Sequence, residues 1–155
     1  MSHEEEGVYQ KLLVAIDLVE DSAKQVLTAA QAFFGADVEV SVLHVVEPQY
    51  VQYSFDPTFT GSLVKSLERE AMESAQRRVA ELTTGFEVDE ERQHVVMGHA
   101  ASVIRDFARN ENVSLIVIGT HGRRGWQRLL GNTANSVLHG APADVLVVRI
   151  QPDEE

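Results

Sequence analysis

Short apolar runs alternate with amphipathic stretches along most of the chain. Lys11 to Asp17 (KLLVAID) is the first run and reads as a strand. Asp21 or Ser22 can then cap a helix in which Ala23, Val26, Leu27, Ala30 and Phe34 recur at helical spacing, with Gly35 as its stop. Val38 to Val46 (VEVSVLHVV) is rich in β-branched residues and predicts a largely buried second strand. Residues 47–61 hold prolines and aromatics without a period, which predicts a long loop that covers something. Within Ser62 to Thr84 the positions Leu63, Leu67, Ala71, Ala75, Val79 and Leu82 form an apolar helical stripe, with Arg77 and Arg78 outside it on a solvated face.

The alternation continues with a third strand over Glu87 to Met97. A helix comes next, marked by Ala100, Val103, Ile104, Phe107 and Ala108, and then a fourth strand over Val113 to Gly119. A glycine-bearing segment leads to a last helix over Asn132 to His139, and Asp144 to Ile150 (DVLVVRI) closes the pattern as a fifth strand. Strands separated by helices imply right-handed β-α-β crossovers. The expected fold class is therefore α/β: a doubly wound five-stranded parallel sheet, strand order 3-2-1-4-5, with helices on both faces.

In such a sheet ligands bind beyond the carboxyl ends of the strands where the order reverses, here between the first and fourth strands. Asp17 ends the first and Gly119 ends the fourth, so a carboxylate and a glycine-bearing loop should face one another across one crevice. Residues 119–140 read GTHGRRGWQRLLGNTANSVLHG; four of the chain's ten glycines, at 119, 122, 125 and 131, fall within thirteen residues. Glycines serve equally as turn formers, but this density ahead of a helix favours a cradle whose backbone NH groups approach phosphate oxygens. Arg123, Arg124 and Arg128 concentrate positive charge in the same segment, as phosphate partners or as a solvated loop. The segment is not a P-loop, since no GxxxxGK[ST] run occurs. Nor is it a dinucleotide fingerprint, since the first strand-to-helix turn, Asp17 to Asp21, holds no glycine.

Composition narrows the functional classes. At 155 residues the chain fits one domain that can bury roughly 70% of its unfolded surface. A net charge of −11 discourages nucleic acid and anionic lipid, so an anionic ligand needs a local positive site. That acidity reads first as a solubilising surface, with adaptation to a saline cytoplasm as the alternative. The absence of cysteine removes disulfides, thiolate nucleophiles and thiolate-ligated metals. The apolar runs are too short to cross a bilayer, and MSHEEEGVYQ lacks the marks of a secretory signal, so a cytoplasmic protein without membrane insertion is expected. His3, His44, His94, His99, His121 and His139 show no paired-ligand spacing, and no metal site is expected. No GxSxG turn offers a nucleophile, so no catalytic residue is assigned. Trp126, beside Leu129 and Leu130, reads as packing.

The segments KLLVAID, SVLHVV, VVMGHAASVIRDFARN, LIVIGTHGRRG and LLGNTANSVLHGAPADVLVVR resemble universal stress proteins of the UspA type over residues 8–150. The family's ATP-binding pattern is glycine, two residues, glycine, nine residues, glycine, then serine or threonine. Gly119 and Gly122 match its first pair, but eight residues separate Gly122 from Gly131, and Asn132 stands where the hydroxyl residue belongs, with Thr133 next. The resemblance implies a single domain at 8–150 with acidic tails at 1–7 and 151–155. It implies ATP with Mg²⁺ as ligand, Asp17 and the backbone around Val45 at ribose and adenine, and Ala15 and Met97 as apolar wall. Gly119, His121, Gly122, Arg123, Arg124, Gly131, Asn132 and Thr133 fall on the phosphate side. It also implies a non-enzymatic regulator whose nucleotide occupancy modulates a protein partner, with slow hydrolysis on bound Mg²⁺ at most. A homodimer through the C-terminal strand follows from that strand's edge position and from the family. The alternative is a nucleotide-free homodimeric interaction module of the same fold, favoured by the irregular glycine spacing. An adenylyl-transferring enzyme would suit the fold but has no signature here.

Overall fold

The computed structural model describes residues 8–48, 61–121 and 133–151, with the side chain of His121 excepted. Five strands, β1 (Lys11–Ala15), β2 (Glu39–Val46), β3 (Gln93–Met97), β4 (Leu115–His121) and β5 (Asp144–Ile150), form one sheet in the order β3-β2-β1-β4-β5. Every adjacent pair is parallel, as the alternation of runs and helices requires. Among the described residues the helices are α1 (Glu20–Ala30, continuing into a 3-10 turn at Gln31–Phe33), α2 (Gly61–Thr83), α3 (Ala100–Asn110) and the short α4 (Asn135–Leu138).

The central strand shows why both faces are covered. Leu12 and Val14 of β1 pack with α1 and α2 residues such as Ala23, Leu27, Val79 and Leu82, whereas Leu13 and Ala15 join Ala101, Ile104 and Ala108 of α3 and Val137 of α4. Side chains alternate across a strand, so a run without polar residues needs apolar helices on each side. On α3 the buried positions fall at i, i+3 and i+7, the inward stripe of a surface helix.

Several boundaries differ from the sequence expectation. The α1 helix begins at Glu20 with Val19 as its N-cap and no side-chain cap, so neither Asp21 nor Ser22 caps it; Ser22 is buried instead. Its helical geometry ends before Phe34, which packs on the core from beyond the 3-10 turn. The apolar stripe of α2 is buried only in its C-terminal half, at Ala75, Val79 and Leu82; Leu63 remains 39% exposed and Ala71 is exposed. The β3 strand is shorter than expected because a 3-10 turn occupies Glu90–Arg92 and Glu87 takes a positive φ of 57°. The β4 strand runs two residues further than expected, to His121, while α4 is confined to four residues. Most of the expected covering loop, residues 49–60, lies outside the described residues.

Register creates the step on which the site is built. The β1–β4 pairing ends at Ala15↔Ile118, level with Ala15↔Leu43 on the other side. The β4–β5 pairing continues through Gly119↔Val148, Thr120↔Arg149 and His121↔Ile150. Those three further residues overhang the end of β1 by about 10 Å at ordinary strand rise.

Candidate functional site

The overhang opens a crevice of about 190 Å³ at the carboxyl ends of β1 and β4, the point where strand order reverses. Its lining is mainly apolar, with Ala15, Ile16, Val26, Leu43, Val45, Ala100, Ile104, Ile118 and Ile150 contributing. Asp17, Ser22, His44, Thr120 and Thr133 supply the polar side chains, and Asp17 is the one Asp, Glu, Lys or Arg that lines it among the described residues. An apolar slot with a few convergent polar groups is the usual form of a small-molecule site.

The first wall is the turn from β1 into α1. Its start extends the ladder by one bond, from Ile16 N–H to the Leu43 carbonyl at 3.0 Å. The His44 Nδ1 lies 2.8 Å from the Ile16 carbonyl oxygen. A carbonyl only accepts, so Nδ1 carries the proton in this bond. Asp17 comes next, with Oδ1 accepting the Val19 N–H at 3.0 Å. That bond belongs to an Asx-type turn and explains how a segment without glycine reverses into a helix whose N-cap side chain contributes no bond.

The second wall is the β4–β5 overhang. A Cβ at Gly119 would come within 2.8 Å of Val26 Cγ2 and 2.9 Å of Ile150 Cδ1, so close packing between α1, β4 and β5 accounts for glycine here. Beyond Ile150, Gln25 of α1 holds the chain with a paired bond: Gln151 N–H donates to Gln25 Oε1 at 2.7 Å, and Gln25 Nε2 donates to the Gln151 carbonyl at 3.0 Å.

Of the expected site residues, Ala15, Asp17, Val45, Gly119 and Thr133 come together around this crevice. Met97 does not line it: Met97 ends β3, and β2 stands between β3 and β1. His121 ends β4. Gly122, Arg123, Arg124, Gly131 and Asn132 lie outside the described residues, as do Gly125, Trp126 and Arg128. Ser22, His44, Thr120 and Ile150 were missed. Ser22 could have been found from its place one turn into the helix after Asp17, and His44 from its place one residue before Val45. Among the described residues no group of three or more His, Asp or Glu stands together as a metal site, and no helix is long and apolar enough to cross a membrane.

A doubly wound parallel sheet with an apolar crevice at its switch point defines the broad class. Within that class the chain belongs to the universal stress protein family, whose model matches residues 8–149. Two curated relatives from Coxiella burnetii agree. Universal stress protein A homolog 1 is 35% identical over 140 residues, spanning 90% of this chain and 96% of the relative. Homolog 2 is 35% identical over 144 residues, spanning 92% and 97%. Among solved structures, hypothetical protein MJ0577 superposes with a TM-score of 0.74 at 23% identity, covering 94% of this chain and 99% of its own. A universal stress protein in complex with cAMP gives a TM-score of 0.64 at 19% identity, covering 92% and 99%. At those identities the structural likeness establishes the fold.

Proposed function

We propose that this chain is an adenine-nucleotide-binding stress-response protein, a regulator without a catalytic role, in which occupancy of the crevice alters affinity for a protein partner. The proposal takes residues 8–150 as one nucleotide-binding domain with acidic tails at 1–7 and 151–155, working in the cytoplasm and away from nucleic acid and membrane. The observation that carries it is the apolar crevice between β1 and β4 with Asp17 as its charged lining residue. A carboxylate repels phosphate and accepts from hydroxyls, so Asp17 would meet the ribose. Ala15, Val45 and Ile118 would form apolar wall for the base. About 190 Å³ is below the roughly 300–1,000 Å³ of sites for whole drug-sized ligands, and it suits the nucleoside part of a larger molecule.

The phosphates of ATP, with Mg²⁺, would fall to the side of Gly119 and Thr133, and onward to His121, Gly122, Arg123, Arg124, Gly131 and Asn132. Support from outside the chain is the fold relative in complex with cAMP, itself an adenine nucleotide. Calorimetric titration with Mg-ATP tests the reading: saturable 1:1 binding is expected, and no heat up to millimolar ligand would favour the nucleotide-free module that the spacing of Gly122 and Gly131 suggests.

The same proposal includes a homodimer through β5. That strand lies at an edge, and Val145, Leu146, Val147 and Val148 are all half-buried on it. An apolar edge of this kind invites a second strand, and pairing about a two-fold axis would cover it. Val147→Pro removes a backbone donor and should release folded monomer in light scattering; a variant still fully dimeric would exclude this edge.

A further inference from the structure

The turn that carries Asp17 into the crevice has no glycine or proline, and the helix after it has no side-chain cap. Besides its own Asp17–Val19 bond, it is held from outside, by side chains that bond its carbonyls. His44 of β2 holds Ile16. Arg78 of α2, 60 residues away in sequence, donates from Nε to the Leu18 carbonyl at 3.3 Å. The guanidinium is itself fixed, because Nη1 also pairs with Glu81 Oε2 at 3.0 Å on the same helix. Arg78 is only partly in solvent, whereas its neighbour Arg77 is exposed. A rigid fork with several donors suits this task, since one arm can be anchored while another holds a backbone oxygen.

We propose that Arg78 is a positioning residue of the ligand site: by holding the Leu18 carbonyl it fixes the β1–α1 turn and so the direction in which Asp17 presents its carboxylate. The proposal rests on Asp17 being the contact for the ribose of a bound nucleotide. It predicts an effect that depends on the hydroxyls of the ligand. A general loosening of the fold would instead weaken all ligands alike.

The test is calorimetric titration of the full chain and of folded Asp17→Ala, Arg78→Ala, Arg78→Lys and Asp17→Ala/Arg78→Ala variants with ATP and with 2′,3′-dideoxy-ATP. Arg78→Ala should weaken ATP binding about three- to tenfold, the range for one lost hydrogen bond, and dideoxy-ATP by less than about twofold. Arg78→Lys should recover part of the loss, because an ammonium also donates to a carbonyl but lacks the fork that Glu81 anchors. The double variant should bind ATP no more weakly than Asp17→Ala, as expected of residues acting through one another. Equal losses on both ligands, additive losses in the double variant, or a silent Arg78→Ala beside a weakened Asp17→Ala would overturn the role of Arg78 alone. A silent Asp17→Ala, or no ATP binding by the unaltered chain, would overturn the ribose reading and this proposal with it.

Discussion

The two walls of the crevice are held by different means. The β4–β5 wall is part of the sheet: its backbone is paired from Leu115↔Asp144 to His121↔Ile150, and at Gly119 it packs so closely on Val26 and Ile150 that a Cβ would force those side chains to shift. The β1–α1 wall leaves the sheet after Ile16 and is fixed by separate side-chain bonds, from Asp17 to its own Val19 N–H, from His44 to Ile16 and from Arg78 to Leu18. Close packing resists any change of volume, whereas a wall held by single polar bonds yields one bond at a time. Substitutions in the β4–β5 wall should therefore act on the whole fold, and those in the β1–α1 wall on ligand orientation.

The largest effect is expected at Gly119→Val. Overpacking should cost about 1–3 kcal/mol, lowering the thermal midpoint by roughly 2–4 °C per kcal/mol in a chain of this size, and ligand binding should be lost together with cavity volume. Thermal melts and titrations of this variant would break the comparison if it were as stable as the parent. Asp17→Ala comes next. Losing a charged hydrogen-bond acceptor should weaken ATP and adenosine alike by about ten- to a hundredfold while the fold persists. A loss confined to ATP would move Asp17 to the phosphates and reverse the orientation proposed for the ligand.

Gln25→Ala removes both bonds to Gln151 at the far end of the packed wall. They are exposed, and the variant should lose no more than about 1 kcal/mol in denaturant unfolding, with ligand affinity changed less than about twofold. A larger loss of affinity would show that the wall depends on this clasp more than on packing. His94 on β3 belongs to neither wall and serves as a control. Burial lowers its pKa below the ordinary value, Arg92 adds to that, and Glu111 opposes it. Its folded state thus favours the neutral ring, so stability is full above the unfolded pKa of about 6.5. It falls as pH drops through that value and levels off below the folded one. Melts of the parent and of His94→Asn between pH 8 and 5 should show a small extra acid loss in the parent alone.

The same division explains how much was legible in the sequence. Strand order and the covering of both faces follow from local patterns, such as the unbroken apolar run at Leu12–Ile16 and the i, i+3, i+7 burial of Ala101, Ile104 and Ala108. The convergence of Asp17 and Gly119 at the switch point followed from topology alone. The missed side-chain bonds are polar and distant: His44 bonds a carbonyl 28 residues away, and Arg78 one 60 residues away. No periodicity encodes such a bond, and the stripe of α2 sets Arg78 aside as surface. Asp21 and Ser22 were misread because a local cap was available in sequence, while the fold used Asp17 to turn the chain and buried Ser22. Met97 ends the third strand as the sequence reading placed it, but with β2 standing between β3 and β1 it does not reach the lining of this crevice.

The central claim is that an adenine nucleotide occupies the crevice between these two walls. Amide chemical-shift mapping of the isotopically labelled chain on addition of Mg-ATP tests it most directly. Saturable shifts concentrated at Ile16, Asp17, Val45, Gly119, Thr120 and Thr133 are expected, with β3 and the C-terminal half of α2 little changed. Saturable shifts centred elsewhere, or none at millimolar nucleotide, would contradict it.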